Sequence, residues 1–256
     1  MEFKKISNNK NYIQKKLIVV TGLGRSRTSL TMKYFSNLGY KPFYDKDISK
    51  PNSNNESGLF EHKLTNLEYN HKIIDNLSEI LSCPIEKYLS DIDNLKNKVL
   101  EIKDYKSLAQ FIEKHQSVCF KSFCLPIIPI LSFLADYIDL VFLYRTNFND
   151  WRNSLIKNIV LEKWKDNDNF QDWYRKLTSN NLNDMLLIRK RNLAMMERTN
   201  IIMQKVCENN NTKYKFHFLT YEDFDDNIHL TNKRILEIAG GNKNIDCIKD
   251  LYKRKK

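Results

Sequence analysis

The chain has 256 residues, of which 41% are hydrophobic, and a formal net charge of +11. This length and composition fit one folded domain that needs no disulfides to hold its core, and the charge favours an anionic ligand, substrate or surface. The five cysteines form no CxxC pair and the five histidines are scattered, which argues against a disulfide framework and a metal site and favours a cytoplasmic protein.

Apolar strand patterns alternate with helical patterns along the whole chain. Residues 1–16 form a polar arm, and residues 41–57 form a polar loop. The interrupted apolar stretch at 125–144 is not a transmembrane segment, because Asp136 and Asp139 divide it. The alternation predicts a single α/β domain of residues 1–256, with a central parallel sheet flanked by helices. Strands are predicted at 17–20, 118–122, 140–144 and 214–220, and helices near 30–38, 67–81, 84–115, 126–137, 149–157, 159–209 and 230–239.

A basic, hydroxyl-rich loop joins the first predicted strand to the first predicted helix. Its sequence is Gly22-Leu-Gly-Arg-Ser-Arg-Thr-Ser-Leu30. Backbone N–H groups at the start of a helix, the helix dipole and these side chains favour binding of a phosphate-like anion. The loop differs from the G-x-x-x-x-G-K-[ST] motif, because Arg27 replaces the second glycine and Thr28 the lysine. If position 27 requires a positive φ, its arginine costs about 1–2 kcal/mol of strain.

This loop resembles the 5′-phosphosulfate loop of sulfotransferases that use 3′-phosphoadenosine 5′-phosphosulfate (PAPS), in which a basic residue precedes Ser-Gly-Thr-[ST]. The resemblance implies a P-loop nucleotide-binding fold, PAPS as the cofactor and no metal. It also implies a helical insertion on the substrate side, at 159–209. The cofactor-binding residues that the loop contributes under this resemblance are Gly24, Arg25, Ser26, Arg27, Thr28 and Ser29, with Arg25 at the basic position.

The segment Asn55-Glu-Ser-Gly-Leu-Phe-Glu-His62 resembles the Asn-Pro-x-Gly-[FYHW]-[FW]-Glu element of the same family. The resemblance implies that Glu61, or else His62, is the general base that deprotonates the acceptor. Glu61 could equally complement the first turn of the next helix. Lys121, at the end of the second predicted strand, matches a lysine that the family places near the transferred sulfonate. The alternative for Lys121 is an ordinary solvated lysine at a strand end.

Two later segments extend the resemblance. In the family, an arginine at a strand end and a serine eight residues later bind the 3′-phosphate of PAPS, which implies this role for Arg145 and Ser154. The spacing here is nine residues, so the match requires an insertion or a switch to Asn153. Tyr221 lies in a sequence similar to the family's Tyr-Glu-Asp-Leu element, where the tyrosine lies against the adenine. Alternatively, Tyr221 and Glu222 only organise the turn from strand to helix.

Taken together, the four motifs occur in the family's order. They imply a sulfotransferase that moves a sulfonate from PAPS to a hydroxyl or amine of a small-molecule or glycan acceptor. One alternative is a nucleotide-dependent phosphotransferase that requires Mg²⁺. Another is a degenerate member of the family, which binds adenosine 3′,5′-bisphosphate or a similar anion without transfer. Nucleic-acid binding is disfavoured, because the basic residues are dispersed along the chain.

Overall fold

A five-stranded sheet forms the centre of the fold in the computed structural model, which describes residues 14–46, 60–65, 67–74, 77–161 and 182–241. The strands are β1 Lys16–Gly22, β2 Lys41–Phe43, β3 Ser117–Lys121, β4 Tyr137–Tyr144 and β5 Lys213–Thr220. Their spatial order is β2-β3-β1-β4-β5, and every neighbouring pair is parallel. The prediction of a single α/β domain with a central parallel sheet is therefore confirmed.

Helices cover both faces of this sheet, because alternate residues of each strand point to opposite sides. In β1, Leu17 and Val19 join one hydrophobic cluster, whereas Ile18 and Val20 join the other. The helices are α1 Thr28–Asn37, α2 Leu67–Ile73, α3 Leu77–Ser82, α4 Ile85–Ser90, α5 Ile92–Glu101, α6 Lys103–His115, α7 Ile128–Leu131, α8 Phe148–Leu161, α9 Leu182–Asn209, α10 Tyr221–Asp226 and α11 Ile228–Ile238. The first cluster includes residues of α5, α6, α7 and α9, and the second includes residues of α1, α10 and α11.

Two sequence predictions are corrected by the structure. The segment predicted as a polar loop from residue 41 begins with β2, an edge strand in which Pro42 is tolerated because one side of the strand has no neighbour. The helix predicted over 126–137 is much shorter, since α7 ends at Leu131 and β4 begins at Tyr137. Each of Pro126 and Pro129 lies in the first turn of its own element, and Pro129 lacks the N–H group that would continue the preceding 3-10 turn, so the segment divides into a 3-10 turn and a single helical turn.

The predicted helical region 159–209 is confirmed where the structure describes it, at the end of α8 and throughout α9. Residues 162–181 of that region lie outside the described residues, as do residues 1–13 of the polar arm and 47–59 of the loop before Phe60. Among the described helices, none combines the length and apolar character needed to span a bilayer.

The register of the sheet determines where the candidate site residues lie. Val20 of β1 aligns with Lys121, and Gly22 aligns with Leu143 of β4. Tyr144 in turn aligns with Thr220 of β5. Because all strands are parallel, the loop after β1, Lys121, Arg145 and Tyr221 all lie at the carboxyl edge of the sheet. Ligands of open parallel sheets bind at this edge.

Candidate anion-binding site

The loop between β1 and α1 has the backbone shape of an anion cradle. Arg25 and Arg27 have φ values of 66° and 68°, whereas Ser26 between them does not have a positive φ. Alternation of this kind turns successive N–H groups toward one concave side. The positive φ considered for Arg27 is thus observed, and the left-handed conformation costs about 1–2 kcal/mol for a residue with a Cβ atom.

The start of α1 adds a helix N-terminus to the loop. Arg27 occupies the N-cap position, and its side chain makes no capping hydrogen bond. The first N–H groups of a helix have no partner within the helix itself, and the helix dipole gives them a partial positive charge. Ser26 is 0% exposed, and its hydroxyl makes no hydrogen bond with any described residue. A buried hydroxyl without a partner is costly, so this position suits an anionic acceptor.

Two contacts tie the loop to α8. The indole Nε1 of Trp151 donates to the carbonyl oxygen of Gly24 over 3.0 Å. The Nε of Arg25 lies 3.3 Å from the hydroxyl oxygen of Ser154. The sequence assigned Arg25 and Ser154 to opposite ends of a nucleotide, but the structure brings the two side chains together. Asn153, the alternative to Ser154, is exposed.

Tyr221 lies against the guanidinium groups of two arginines. The Cζ atom of Arg145 is 3.8 Å from the ring centroid, and that of Arg27 is 4.0 Å away. Arg27 also forms an ion pair of 2.6 Å with Asp225 in α10. Arg27 therefore bridges the loop to α10. The role of Tyr221 beside an adenine ring stays a prediction.

Arg145 differs from Arg27 in its charge environment. It is 9% exposed, and its Nε makes no hydrogen bond with any described residue. In the part of the chain that the structure describes, Arg145 also forms no ion pair. A buried cation without a counter-charge is unfavourable unless an anion compensates it. Arg145 is therefore suited to bind an anionic group.

A third cationic group lies at the end of β3. Lys121 is 2% exposed, and its Nζ lies 2.8 Å from Oε1 of Glu61 and 3.2 Å from the hydroxyl of Ser29. Burial lowers the pKa of Lys121, and the carboxylate of Glu61 offsets this effect only in part. Lys121 is thus not a solvated strand-end lysine. It connects α1 to the segment that carries Glu61.

Glu61 is held in place by its neighbours in the chain. Phe60 has a φ of 49°, and its buried ring packs against Tyr44 with ring centroids 5.4 Å apart. The backbone N–H of Asp45 donates to the carbonyl oxygen of Glu61 over 2.9 Å. These contacts fix the backbone from which the Glu61 side chain reaches Lys121.

The two members of this ion pair should respond differently to substitution. Glu61→Gln leaves a buried lysine without its carboxylate and should lower the free energy of unfolding by about 1–3 kcal/mol. Lys121→Met leaves a carboxylate whose side chain is 30% exposed, and should cost less. Urea unfolding of both variants checks this difference. Equal losses of stability in the two variants would contradict the expected difference between Glu61 and Lys121.

His62 is less suited than Glu61 to act as a base. Its Nδ1 accepts a hydrogen bond from the N–H of Leu64 over 3.2 Å, which places the ring proton on Nε2. The ring also packs against Phe43, with centroids 4.7 Å apart. Burial lowers the pKa of His62 below its ordinary value of 6.5. The basic nitrogen of the neutral imidazole, Nδ1, therefore already accepts a hydrogen bond, which favours Glu61 as the general base.

The lowered pKa of His62 predicts a pH effect on stability. Below pH 6.5 the unfolded chain takes up this proton more readily than the folded protein. The contribution of neutral His62 to the free energy of unfolding is therefore complete above the pKa of the unfolded chain. It is lost as the pH falls through the pKa of His62 in the folded protein. Between pH 7.5 and 5, wild-type protein should lose more stability than His62→Gln in urea unfolding. Parallel curves for the two proteins would contradict this expectation.

Comparisons with known proteins do not assign the chain to a family. No protein-family model, curated protein or solved structure matches it. Within the described residues, no three histidine, cysteine, aspartate or glutamate side chains come together as metal ligands. The function therefore has to be inferred from the groups at the carboxyl edge of the sheet.

Sequence reasoning missed Arg189, which reaches this edge from α9. Its Nε donates to the hydroxyl of Tyr144 over 2.9 Å. The available signal was its position in the helix: Arg189 follows Met185 by one turn and precedes Met196 by two, and all three lie on the buried face. An arginine at an apolar position of an amphipathic helix indicates a specific buried partner.

Proposed function

We propose that the protein is a sulfotransferase that moves a sulfonate group from PAPS to a hydroxyl or amine of a small-molecule or glycan acceptor. The observation that supports this proposal most directly is a pair of anion-binding features at one edge of the sheet. One is the loop with the buried Ser26 hydroxyl, and the other is the buried Arg145, which forms no ion pair with any described residue. PAPS has two separate anionic groups, the 5′-phosphosulfate and the 3′-phosphate, and so matches a site with two centres.

The residues divide into two groups under this proposal. Arg25, Ser26, Thr28, Ser29 and the N–H groups of the loop bind the 5′-phosphosulfate. Arg145 binds the 3′-phosphate. Ser154 lies beside Arg25 and so supports the phosphosulfate end. Tyr221, which touches both Arg27 and Arg145, is proposed to lie against the adenine.

The proposed chemistry uses positioning and charge neutralisation. PAPS supplies the sulfonate, whose bond to the 5′-phosphate oxygen breaks as the bond to the acceptor forms. Glu61 takes the proton from the acceptor. Arg25 and the loop N–H groups stabilise the negative charge on the leaving phosphate oxygen. Lys121, which already contacts both Ser29 and Glu61, stabilises the oxygens of the transferred group.

A thermal-shift comparison of nucleotides tests this proposal. Adenosine 3′,5′-bisphosphate at 100 times its dissociation constant should stabilise the protein by about 2.7 kcal/mol. ATP and ADP, with or without Mg²⁺, should stabilise it less. Stronger stabilisation by ATP with Mg²⁺ would overturn the proposal in favour of a phosphotransferase.

Transfer itself requires a second measurement. Protein incubated with radiolabelled PAPS and a panel of sugars, amines and phenols should release adenosine 3′,5′-bisphosphate and label an acceptor. Binding of the bisphosphate without any release or labelling would indicate a degenerate member of the family that only binds the anion.

A further inference from the structure

The segment that carries Arg145 is fixed by charged side chains from two distant elements. Residues 145–147 connect β4 to α8 without regular secondary structure. A guanidinium nitrogen of Arg189 in α9 donates to the carbonyl oxygens of Arg145 and Thr146, over 2.8 Å and 3.1 Å. The two carboxylate oxygens of Glu222 in α10 accept from the N–H groups of Thr146 and Asn147, each over 3.0 Å. Two carbonyls and two N–H groups of this short connection are thus held from outside it.

Arg189 is costly to bury, which indicates a specific role. Arg189 is only 7% exposed, and the hydrogen-bond partners of its guanidinium group are neutral oxygens. The guanidinium also lies 4.8 Å from the ring centroid of Tyr144 and 5.7 Å from that of Trp151. Attachment of α9 to the sheet does not require it, since Met196 and Met203 on the same helix are buried in the core.

Glu222, the second side chain that holds the segment, is present as a carboxylate. Burial alone would raise the pKa of Glu222, but the N–H groups of Asn147 and Thr146 outweigh that effect and lower the pKa. Glu222 therefore stays ionised through the neutral range and keeps both hydrogen bonds. Charge-assisted hydrogen bonds of this kind are stronger than neutral ones.

We propose that Arg189 and Glu222 are positioning residues that hold Arg145 in the orientation needed to bind an anionic group. This inference rests on the proposed function, in which that group is the 3′-phosphate of the donor. Misplacement of a binding group by about 1 Å can cost a factor of about 100 in rate, so fixing the connection has a large effect. Because α9 belongs to the region proposed to face the acceptor, Arg189 also links the acceptor side of the molecule to the donor site.

The effect on the ligand is tested with Arg189→Lys and Glu222→Gln. Titration calorimetry gives the dissociation constants of adenosine 3′,5′-bisphosphate and of adenosine 5′-monophosphate, which lacks the 3′-phosphate. Each variant should weaken bisphosphate binding about tenfold and leave monophosphate binding nearly unchanged. Arg191→Lys on the exposed side of α9 and Asp226→Asn in α10 are matched controls and should change neither constant. Equal weakening of both ligands, or of neither, would overturn the positioning role.

Amide hydrogen exchange tests the same inference without any ligand. The N–H groups of Thr146 and Asn147 should exchange at least about tenfold faster in Arg189→Lys than in Arg191→Lys, because the connection has lost one of its two supports. Equal exchange rates would overturn the inference even if the nucleotide binds. Faster exchange in a protein that binds neither nucleotide would support the fixing of residues 145–147 and overturn the proposed function instead.

Discussion

Arg145→Met is expected to weaken the binding of adenosine 3′,5′-bisphosphate by at least about 100-fold and to leave the protein at least as stable as wild type. Charge-assisted hydrogen bonds contribute about 1.5–3 kcal/mol each, and the loss of two of them corresponds to a factor of this size. Stability should not fall, because Arg145 is buried and forms no ion pair with any described residue. Methionine fills a similar volume without a charge to desolvate.

Titration calorimetry and urea unfolding measure the two parts of this prediction. Arg152→Met, on the following helix α8, removes the same charge from a less buried position and should change neither binding nor stability strongly. A loss of more than about 2 kcal/mol of stability in Arg145→Met would identify Arg145 as a structural cation. Unchanged binding would remove Arg145 from the proposed site.

Gly22→Ala is expected to destabilise the protein by about 3–5 kcal/mol, among the larger values for one substitution. Gly22 has a φ of 146°, which L residues rarely adopt, and a Cβ atom there would lie 2.0 Å from the carbonyl oxygen of Leu143. That oxygen belongs to the interior strand β4 and also accepts a hydrogen bond from the N–H of Leu23 over 3.1 Å. The added methyl group must therefore displace either β4 or the start of the anion-binding loop.

Gly24→Ala is the matched control in the same loop. A Cβ atom at Gly24 would meet no atom within 4 Å, and its φ is not positive. The free energy of unfolding of Gly24→Ala should stay within about 1 kcal/mol of wild type, since such a change mainly reduces the conformational freedom of the unfolded chain. Thermal and urea unfolding compare the two variants. Similar stability of Gly22→Ala and Gly24→Ala would show that the loop can move away from Leu143.

The sequence allowed the common location of the site residues to be predicted. Apolar runs before Lys121 and Arg145 identified strands, and the carboxyl ends of parallel strands meet at one edge. The left-handed backbone was considered for Arg27 because the family that the loop resembles has a glycine at this position. These features depend on local pattern and on the general rules of parallel sheets.

Contacts between elements distant in the chain could not be predicted in the same way. The ion pair of Lys121 with Glu61 and the contact of Arg25 with Ser154 depend on how the helices pack on the sheet. Arg189 was missed because most of the buried residues of its helix are apolar, so the helix reads as an ordinary core helix. The edge strand β2 was missed because three residues that include a proline give almost no strand pattern.

The ion pair between Arg27 and Asp225 has a kinetic consequence. It joins residues 198 positions apart and ties Arg27, one of the two left-handed residues of the loop, to α10. Because the loop is anchored in this way, an anion should bind without a slow rearrangement of the loop. The on-rate should then be set by diffusional encounter in the electrostatic field of a protein with a net charge of +11. That rate should fall steeply as ionic strength rises, whereas the dissociation rate should change little.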